Sequence, residues 1–240
     1  MYRGLRVLCA TSCLDEEAKI GAVCERMAWD VVDEFLVVDD GSTDRTAEVA
    51  RAGGARVLSL GRDHGVGYAI RRIVRVAQQE GYDVLVIVAG NNKDDPAEIP
   101  RLLEPIAAEG CDFVQGSRFL PGGGYGGDMP GYRVWSTRLH ARLTSLLTRR
   151  RITESTNGFR AIRMSFFDDP RVDLDQGWLD RYELEPYLLY KALTLGYACR
   201  EVPVHKIYPP RRLGITKMKP IVGWWSILRP LVYLSLGLRR

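Results

Sequence analysis

The chain has 240 residues, 46% of them hydrophobic, and 34 basic against 30 acidic side chains leave a formal net charge of +4. That length suits one large α/β domain, or a domain with a sizeable appendage, and the apolar content furnishes a core of its own. The charge is too small to imply nucleic acid, although basic residues crowd the second half (Arg149, Arg150, Arg151, Arg211, Arg212, Lys217, Lys219, Arg239, Arg240), where an anionic partner is expected.

The first residues, MYRGLRVLCATS, hold a strand-sized apolar stretch without the h-region or cleavage site of an export signal. Five cysteines (Cys9, Cys13, Cys24, Cys111, Cys199) form no CxxC pair and lie mostly in apolar patterns, which fits reduced thiols in a cytoplasm. From residue 5 to about 117, the apolar runs LRVLCAT, EFLVVDD, ARVLSL, DVLVIVAG and CDFVQGS alternate with helix-spaced segments at 15–29, 43–53, 65–80 and 96–108. That alternation predicts βα units around a mostly parallel sheet, with Pro96 in a first helical turn. The run PGGGYGGDMPG (121–131) is expected to be a loop. Helices are predicted over 133–150 and 183–195, a strand or hairpin over 156–164, and one last strand in ACREVPVHKIY.

LVVDDGSTD (36–44) ends the second apolar run in two carboxylates and a Gly-Ser turn, with a helix start expected at Thr43 or Asp44. Carboxylate oxygens and backbone amides then meet at the carboxyl end of a buried strand, where open α/β sheets bind ligands. Read alone, Asp39 and Asp40 either cap the next helix or hold a nucleotide. Their neighbours sharpen the signal: LDEEAKI (14–20), DHGVGYA (63–69), AGNNKDDP (89–96), GSRF (116–119), TNGFR (156–160), and EVPV followed by RRLGITK. A nucleotidyltransferase fits less well, because SCLDEEAKI lacks a phosphate-cradling glycine and lysine loop.

In that order the motifs resemble family-2 inverting glycosyltransferases, and within them the dolichyl- and polyprenyl-phosphate sugar synthases. The resemblance implies a Rossmann-like nucleotide-binding fold of the glycosyltransferase A type. Residues 1–120 would form the donor-binding half, 121–219 the acceptor-side half of the same domain, and 220–240 an apolar C-terminal helix. The implied donor is a UDP- or GDP-sugar held by Glu16, Asp39, Asp40 and Ser42, with Asp40 accepting hydrogen bonds from the base. Gly65 and Gly67 would admit the donor to the backbone, or simply open a helix.

At AGNNKDDP the sequence departs from the family, whose DxD-type aspartates hold a divalent metal; Ala89 and Asn91 stand in their places. An Asn91 carbonyl leaves at best a weak site for Mg2+ or Mn2+. Either Lys93 supplies the positive charge or Asp94 and Asp95 move inward; otherwise those two form a solvated helix start.

For the acceptor, the resemblance aligns Glu154 of ESTNGFR with a catalytic carboxylate; Asp180 and Glu185 are rivals. Arg118, Arg160, Arg212 and Lys217 match basic positions that face phosphates, with Arg118 and Lys217 expected to act in the transfer itself. Arg160 could instead pair with a carboxylate at the edge of the core. The three histidines show no ligand spacing.

The acceptor implied is a polyprenyl phosphate; the alternatives are a soluble small-molecule acceptor or a non-catalytic nucleotide-sugar binding protein. The tail IVGWWSILRPLVYLSLGLRR is interrupted by Arg229 and Pro230, so it is expected to lie on a surface rather than cross a membrane. That surface is a bilayer interface at the cytoplasmic face, the catalytic domain, or a homodimer partner.

Overall fold

The computed structural model describes residues 1–210 and 220–239. The first half lays down β1 (Val7–Cys13), α1 (Glu17–Glu25), β2 (Glu34–Asp39), α2 (Thr46–Ala52), β3 (Arg56–Ser59), α3 (Val66–Gln79), β4 (Val84–Ile87), α4 (Ile99–Glu109) and β5 (Phe113–Ser117). The second half adds β6 (Gly124–Gly127), α5 (Gly131–Thr148), β7 (Arg160–Arg163), α6 (Leu184–Thr194), β8 (Cys199–Pro203), β9 (His205–Tyr208) and α7 (Pro220–Ser235). Seven strands join one sheet in the order β3-β2-β1-β4-β7-β5-β8. All neighbours pair in parallel except β7, which runs antiparallel between β4 and β5.

Helices cover both faces of this sheet, so its central strands read as unbroken apolar runs, and strand alternation sends successive side chains to opposite layers. Val7, Cys9, Phe35, Val37, Val84 and Val86 pack with Ile20 and Val23 of α1 and with Leu102 and Ile106 of α4. Leu8, Ala10, Leu36, Val38, Leu85 and Ile87 pack on the other side with Ile70, Ile73 and Val74 of α3 and Tyr187 and Leu188 of α6.

Three expectations need correction. The predicted helix start at Thr43 or Asp44 slips to Thr46, since the Asp44 side chain turns back to accept the Thr46 N–H at 2.9 Å and holds residues 44–46 in a turn ahead of the helix. ACREVPVHKIY is two strands: after Val204 donates to the Ser117 carbonyl at 3.1 Å, the chain leaves the main sheet as β9. The glycine-rich run is not all loop, since β6 pairs with β9 from Gly124↔His205 to Gly127↔Tyr208. Glycine is what allows it: Gly127 has φ +69°, and a Cβ there would lie 2.0 Å from the Tyr208 carbonyl oxygen. Helix α7 lies against α5 and α6, and among the described residues no helix is long and apolar enough to cross a membrane.

Candidate active site

A cleft opens where β1 and β4 end. Thr11, Ser12 and Glu16 line one end, and Ala89, Gly90, Asn91 and Lys93, just past β4, form the floor. Arg118 follows β5, Arg133 and Thr137 come from α5, Lys206 and Tyr208 from β9, and Tyr182 and Glu185 from the start of α6. Trp224 and Ile227 of α7 close the far wall, so the C-terminal helix folds back on the domain.

Its centre is cationic. The Lys93 Nζ sits 5.2 Å from the centre of the Tyr208 ring, and the Arg133 guanidinium carbon 6.0 Å from the same ring. Lys206 donates to Asp94 Oδ1 at 2.5 Å and to Asn157 Oδ1 at 2.8 Å. Arg118 donates to the Tyr208 hydroxyl at 2.9 Å. Burial, and then the nearby charges of Lys206 and Arg133, push the Lys93 pKa down to about 8. A bound anion reverses that penalty by favouring the charged ammonium.

Asp94 is buried, and its second oxygen accepts the Ala89 N–H at 2.9 Å. It is neither a solvated helix start nor open to a ligand. Asp95 does behave as a helix start, accepting the Ala97 N–H at 3.2 Å and pairing with Arg26 at 3.4 Å. The carbonyl oxygen of Asn91 is buried without a hydrogen-bond partner and lines the cleft.

Several expected donor residues turn out to hold the chain itself. Asp39 accepts the Ser42 N–H at 3.0 Å, and the Ser42 hydroxyl accepts the Asp15 N–H at 2.9 Å, which fixes the turn after β2. Both oxygens of Asp40 are engaged, by the N–H groups of His64 at 2.9 Å and Gly65 at 2.8 Å. Burial raises the Asp40 pKa, and those two bonds oppose the rise. Of the acidic residues expected at the base, Glu16 alone lines the cleft, paired with Lys19 at 2.5 Å. Gly65 and Gly67 admit protein rather than donor: a Cβ on Gly65 would meet the Asp180 carbonyl oxygen at 2.3 Å, and one on Gly67 the Leu179 carbonyl oxygen at 1.9 Å.

The expected base lies behind the cleft wall. Glu154 is fully buried and does not line the cleft. One oxygen accepts Arg118 Nε at 2.6 Å; the other accepts the N–H groups of Ser155 at 3.1 Å and Thr156 at 2.9 Å, and the Thr156 hydroxyl at 3.0 Å. Burial alone would raise its pKa, but Arg118 and these donors hold it below the ordinary carboxylate value. Arg118, whose charge burial opposes, is in turn held above its ordinary pKa, chiefly by Glu154. Glu154 thus sets the direction of Arg118 from behind.

Arg160 is fully buried and does not line the cleft. It donates to the carbonyls of Glu185 at 2.9 Å and Asn157 at 2.6 Å, lies 3.6 Å from the Glu185 carboxylate, and burial lowers its pKa. Of the rival carboxylates, Glu185 lines the cleft and Asp180 is tied to Arg71. Arg212 and Lys217 lie outside the described residues. Lys206, Arg133 and Tyr208 escaped the sequence reading. The available signal was the alternation in HKIY, which buries Lys206 and Tyr208 while exposing His205 and Ile207.

An open α/β sheet whose parallel strands end in a basic cleft places the chain in the Rossmann-like α/β class, whose ligands bind at the carboxyl ends of the strands. The profile of glycosyl transferase family 2 matches residues 18–170. The undecaprenyl-phosphate mannosyltransferase of Micrococcus luteus is 32% identical over 198 residues, 79% of this chain and 78% of that protein. The dolichyl-phosphate hexose transferase of Haloferax volcanii is 32% identical over 205 residues, covering 84% and 81%. Among solved structures, glucosyl-3-phosphoglycerate synthase from Mycobacterium tuberculosis in complex with phosphoglyceric acid has TM-score 0.72 at 23% identity, over 99% of this chain and 82% of that one. The same synthase in complex with Mn2+, uridine diphosphate and glucosyl-3-phosphoglycerate gives 0.70 at 22% identity, over the same shares of 99% and 82%. The chain belongs to glycosyl transferase family 2, and it is a glycosyltransferase with the GT-A fold.

The residues present do not fit the divalent metal implied by the resemblance. Ala89 offers no ligand, Asn91 a single neutral oxygen, and Asp94 is consumed by Lys206 and the Ala89 N–H. Hard cations need several oxygen ligands, carboxylates above all. Among the described residues no three His, Cys, Asp or Glu side chains converge on one point.

Proposed function

We propose that this glycosyltransferase transfers a hexose, with inversion, from a UDP- or GDP-sugar to a polyprenyl phosphate at the cytoplasmic face of a membrane. One observation carries the reading: a basic cleft shares a wall with an apolar helix, Trp224 and Ile227 beside Lys93, Arg118, Arg133 and Lys206. A lipid phosphate brings that pairing of anion and hydrocarbon, and the relatives named for polyprenyl- and dolichyl-phosphate acceptors support it.

In this reading the nucleoside lies toward Thr11, Ser12 and Glu16, and the diphosphate reaches Lys93. An oxygen of the acceptor phosphate attacks the anomeric carbon from the side opposite the leaving group. The new C–O bond forms as the bond to the donor's diphosphate breaks, and that electron pair leaves with the diphosphate. No proton has to move, because a phosphate monoester is already ionised near neutrality, so a Glu154 locked into an ion pair is no obstacle. Arg118, aimed by Glu154, is placed to orient a phosphate.

The membrane surface would be met by α5, α7 and the turn after α7, since Trp135, Leu139, Leu143, Leu146, Trp225 and Leu236 are all exposed. Five free cysteines, four of them buried, support a reducing compartment.

The test incubates the protein with radiolabelled GDP-mannose or UDP-glucose and undecaprenyl phosphate, then extracts with organic solvent. Label in the organic phase is expected. Label that stays aqueous while free nucleotide is released would reject the lipid acceptor and leave a soluble one.

A further inference from the structure

We propose that a lysine-arginine cradle around Tyr208, made of Lys93, Lys206 and Arg133, receives the donor's diphosphate directly, and that transfer proceeds without a divalent metal. The inference rests on the donor assigned under the proposed function and names what holds that donor's charge.

Three observations converge. Lys93 and Arg133 approach one ring, at 5.2 Å and 6.0 Å from its centre, and Arg118 holds that ring's hydroxyl at 2.9 Å. Tyr208 thereby works as a spacer that keeps cations from different elements at one height in the cleft. Secondly, Lys206 lies beside the β4 end and is fixed by two bonds, to Asp94 at 2.5 Å and Asn157 at 2.8 Å. Asp94 is the carboxylate best placed by sequence to substitute for a metal ligand, yet its partners hold it in the protein. Thirdly, Lys93, Lys206 and Arg133 reach this one cleft from three separate parts of the chain: the segment after β4, β9 and α5.

Chemistry makes the exchange sensible. As the bond from the anomeric carbon to the β-phosphate oxygen breaks, that oxygen gains a full negative charge, and preorganised cations in a half-dry cleft stabilise it where it develops. A lysine supplies a compact charge and a guanidinium two parallel donors, which together can span the oxygens of a diphosphate. Adding a metal to such a site would set it against the ammonium groups with Asn91 as its one neutral ligand.

The experiment measures UDP and GDP binding by titration calorimetry, and sugar transfer by label, in excess EDTA and in added Mn2+. Affinity and turnover are expected to agree within about twofold between the two conditions. Lys93→Met and Arg133→Met should each weaken nucleoside-diphosphate binding at least tenfold in EDTA, with Lys93→Arg restoring most of it. Lys206→Met alone would strand the buried Asp94 carboxylate, so it is paired with Asp94→Asn. The neutral double variant should melt near the parent temperature and still lose at least tenfold in affinity. Binding or transfer that disappears in EDTA and returns with Mn2+ would overturn the cradle while leaving the glycosyl donor intact. Folded variants with unchanged affinity would overturn it as well. If no nucleoside diphosphate binds in either condition, the donor assignment fails and the cradle falls with it.

Discussion

Glu154 carries a full negative charge into a place water does not reach, and four donors surround it: Arg118 Nε, two backbone N–H groups and the Thr156 hydroxyl. A carboxylate so satisfied has no oxygen left to take a proton from an acceptor. What it does provide is neutralisation of Arg118, which is itself buried. Removing one member of a buried ion pair leaves the other charge uncompensated, at a cost of about 3 kcal/mol. Glu154→Gln should therefore lower unfolding stability in urea by about that amount. The fraction that folds should keep the parent's pH profile for turnover, with KM for the acceptor raised as Arg118 loses its direction. A stable variant with kcat abolished and KM unchanged would return the base assignment to Glu154.

His140 shows the same logic between elements. Its ring nitrogens bond the Ser155 hydroxyl at 2.7 Å and the Ile227 carbonyl at 3.1 Å, so one side chain of α5 ties the 153–158 segment to α7. Burial lowers its pKa below the ordinary 6.5, with the Ile227 carbonyl pulling the other way. The unfolded chain then binds the proton more readily, so this group leaves stability flat above about pH 6.5 and erodes it as pH falls below. The melting temperature is expected to drop between about pH 6.5 and pH 5, and His140→Asn to flatten that slope. A slope identical in the variant would place the titration elsewhere. Such ties explain which elements were legible in the sequence. The βα units were, because unbroken strand-length apolar runs and helix-spaced apolar residues are local patterns. Antiparallel β7 between β4 and β5 was not, since strand order follows from tertiary pairing. The orientation of Glu154, and the choice between the two readings of Arg160, were not legible for a related reason: a motif preserves a residue type without saying whether its charge faces the cleft or the core. Lys206 was missed because its meaning depends on Asp94 and Asn157, 112 and 49 residues away.

For the molecule as a whole, α5 carries its polarity inside out. The side it packs on the domain is Thr137, His140, Ala141, Thr144 and Thr148, whereas Tyr132, Trp135, Leu139, Leu143, Leu146 and Leu147 face outward. Outward residues at steps of three and four share one stripe of a helix. Arg138 and Arg142 run along its edge, and Arg149, Arg150 and Arg151 follow its end. Leu146 is 73% exposed and Trp135 68%, a state that is unfavourable in water by roughly 25 cal/mol for each Å² left uncovered. Trp225 of α7, with Leu236 and Leu238 in the turn that follows it, adds to the exposed apolar residues of the C-terminal region. Arginines beside an apolar, Trp-bearing stripe match an anionic bilayer surface, where amphipathic rings sit at headgroup level and cations meet lipid phosphates. The protein should therefore sediment with vesicles containing phosphatidylglycerol, more weakly with phosphatidylcholine alone, and less as salt is raised. Trp135→Glu combined with Leu146→Glu removes the two most exposed apolar side chains of α5 and should cut vesicle partitioning by at least about 100-fold, since each buried apolar side chain contributes about 1.5–3 kcal/mol. Transfer to a detergent-dispersed short-chain polyprenyl phosphate should survive that double change, because neither residue lines the cleft. Concentration-dependent dimerisation abolished by the same substitutions, with vesicle binding untouched, would mean that a second copy covers the stripe instead of lipid.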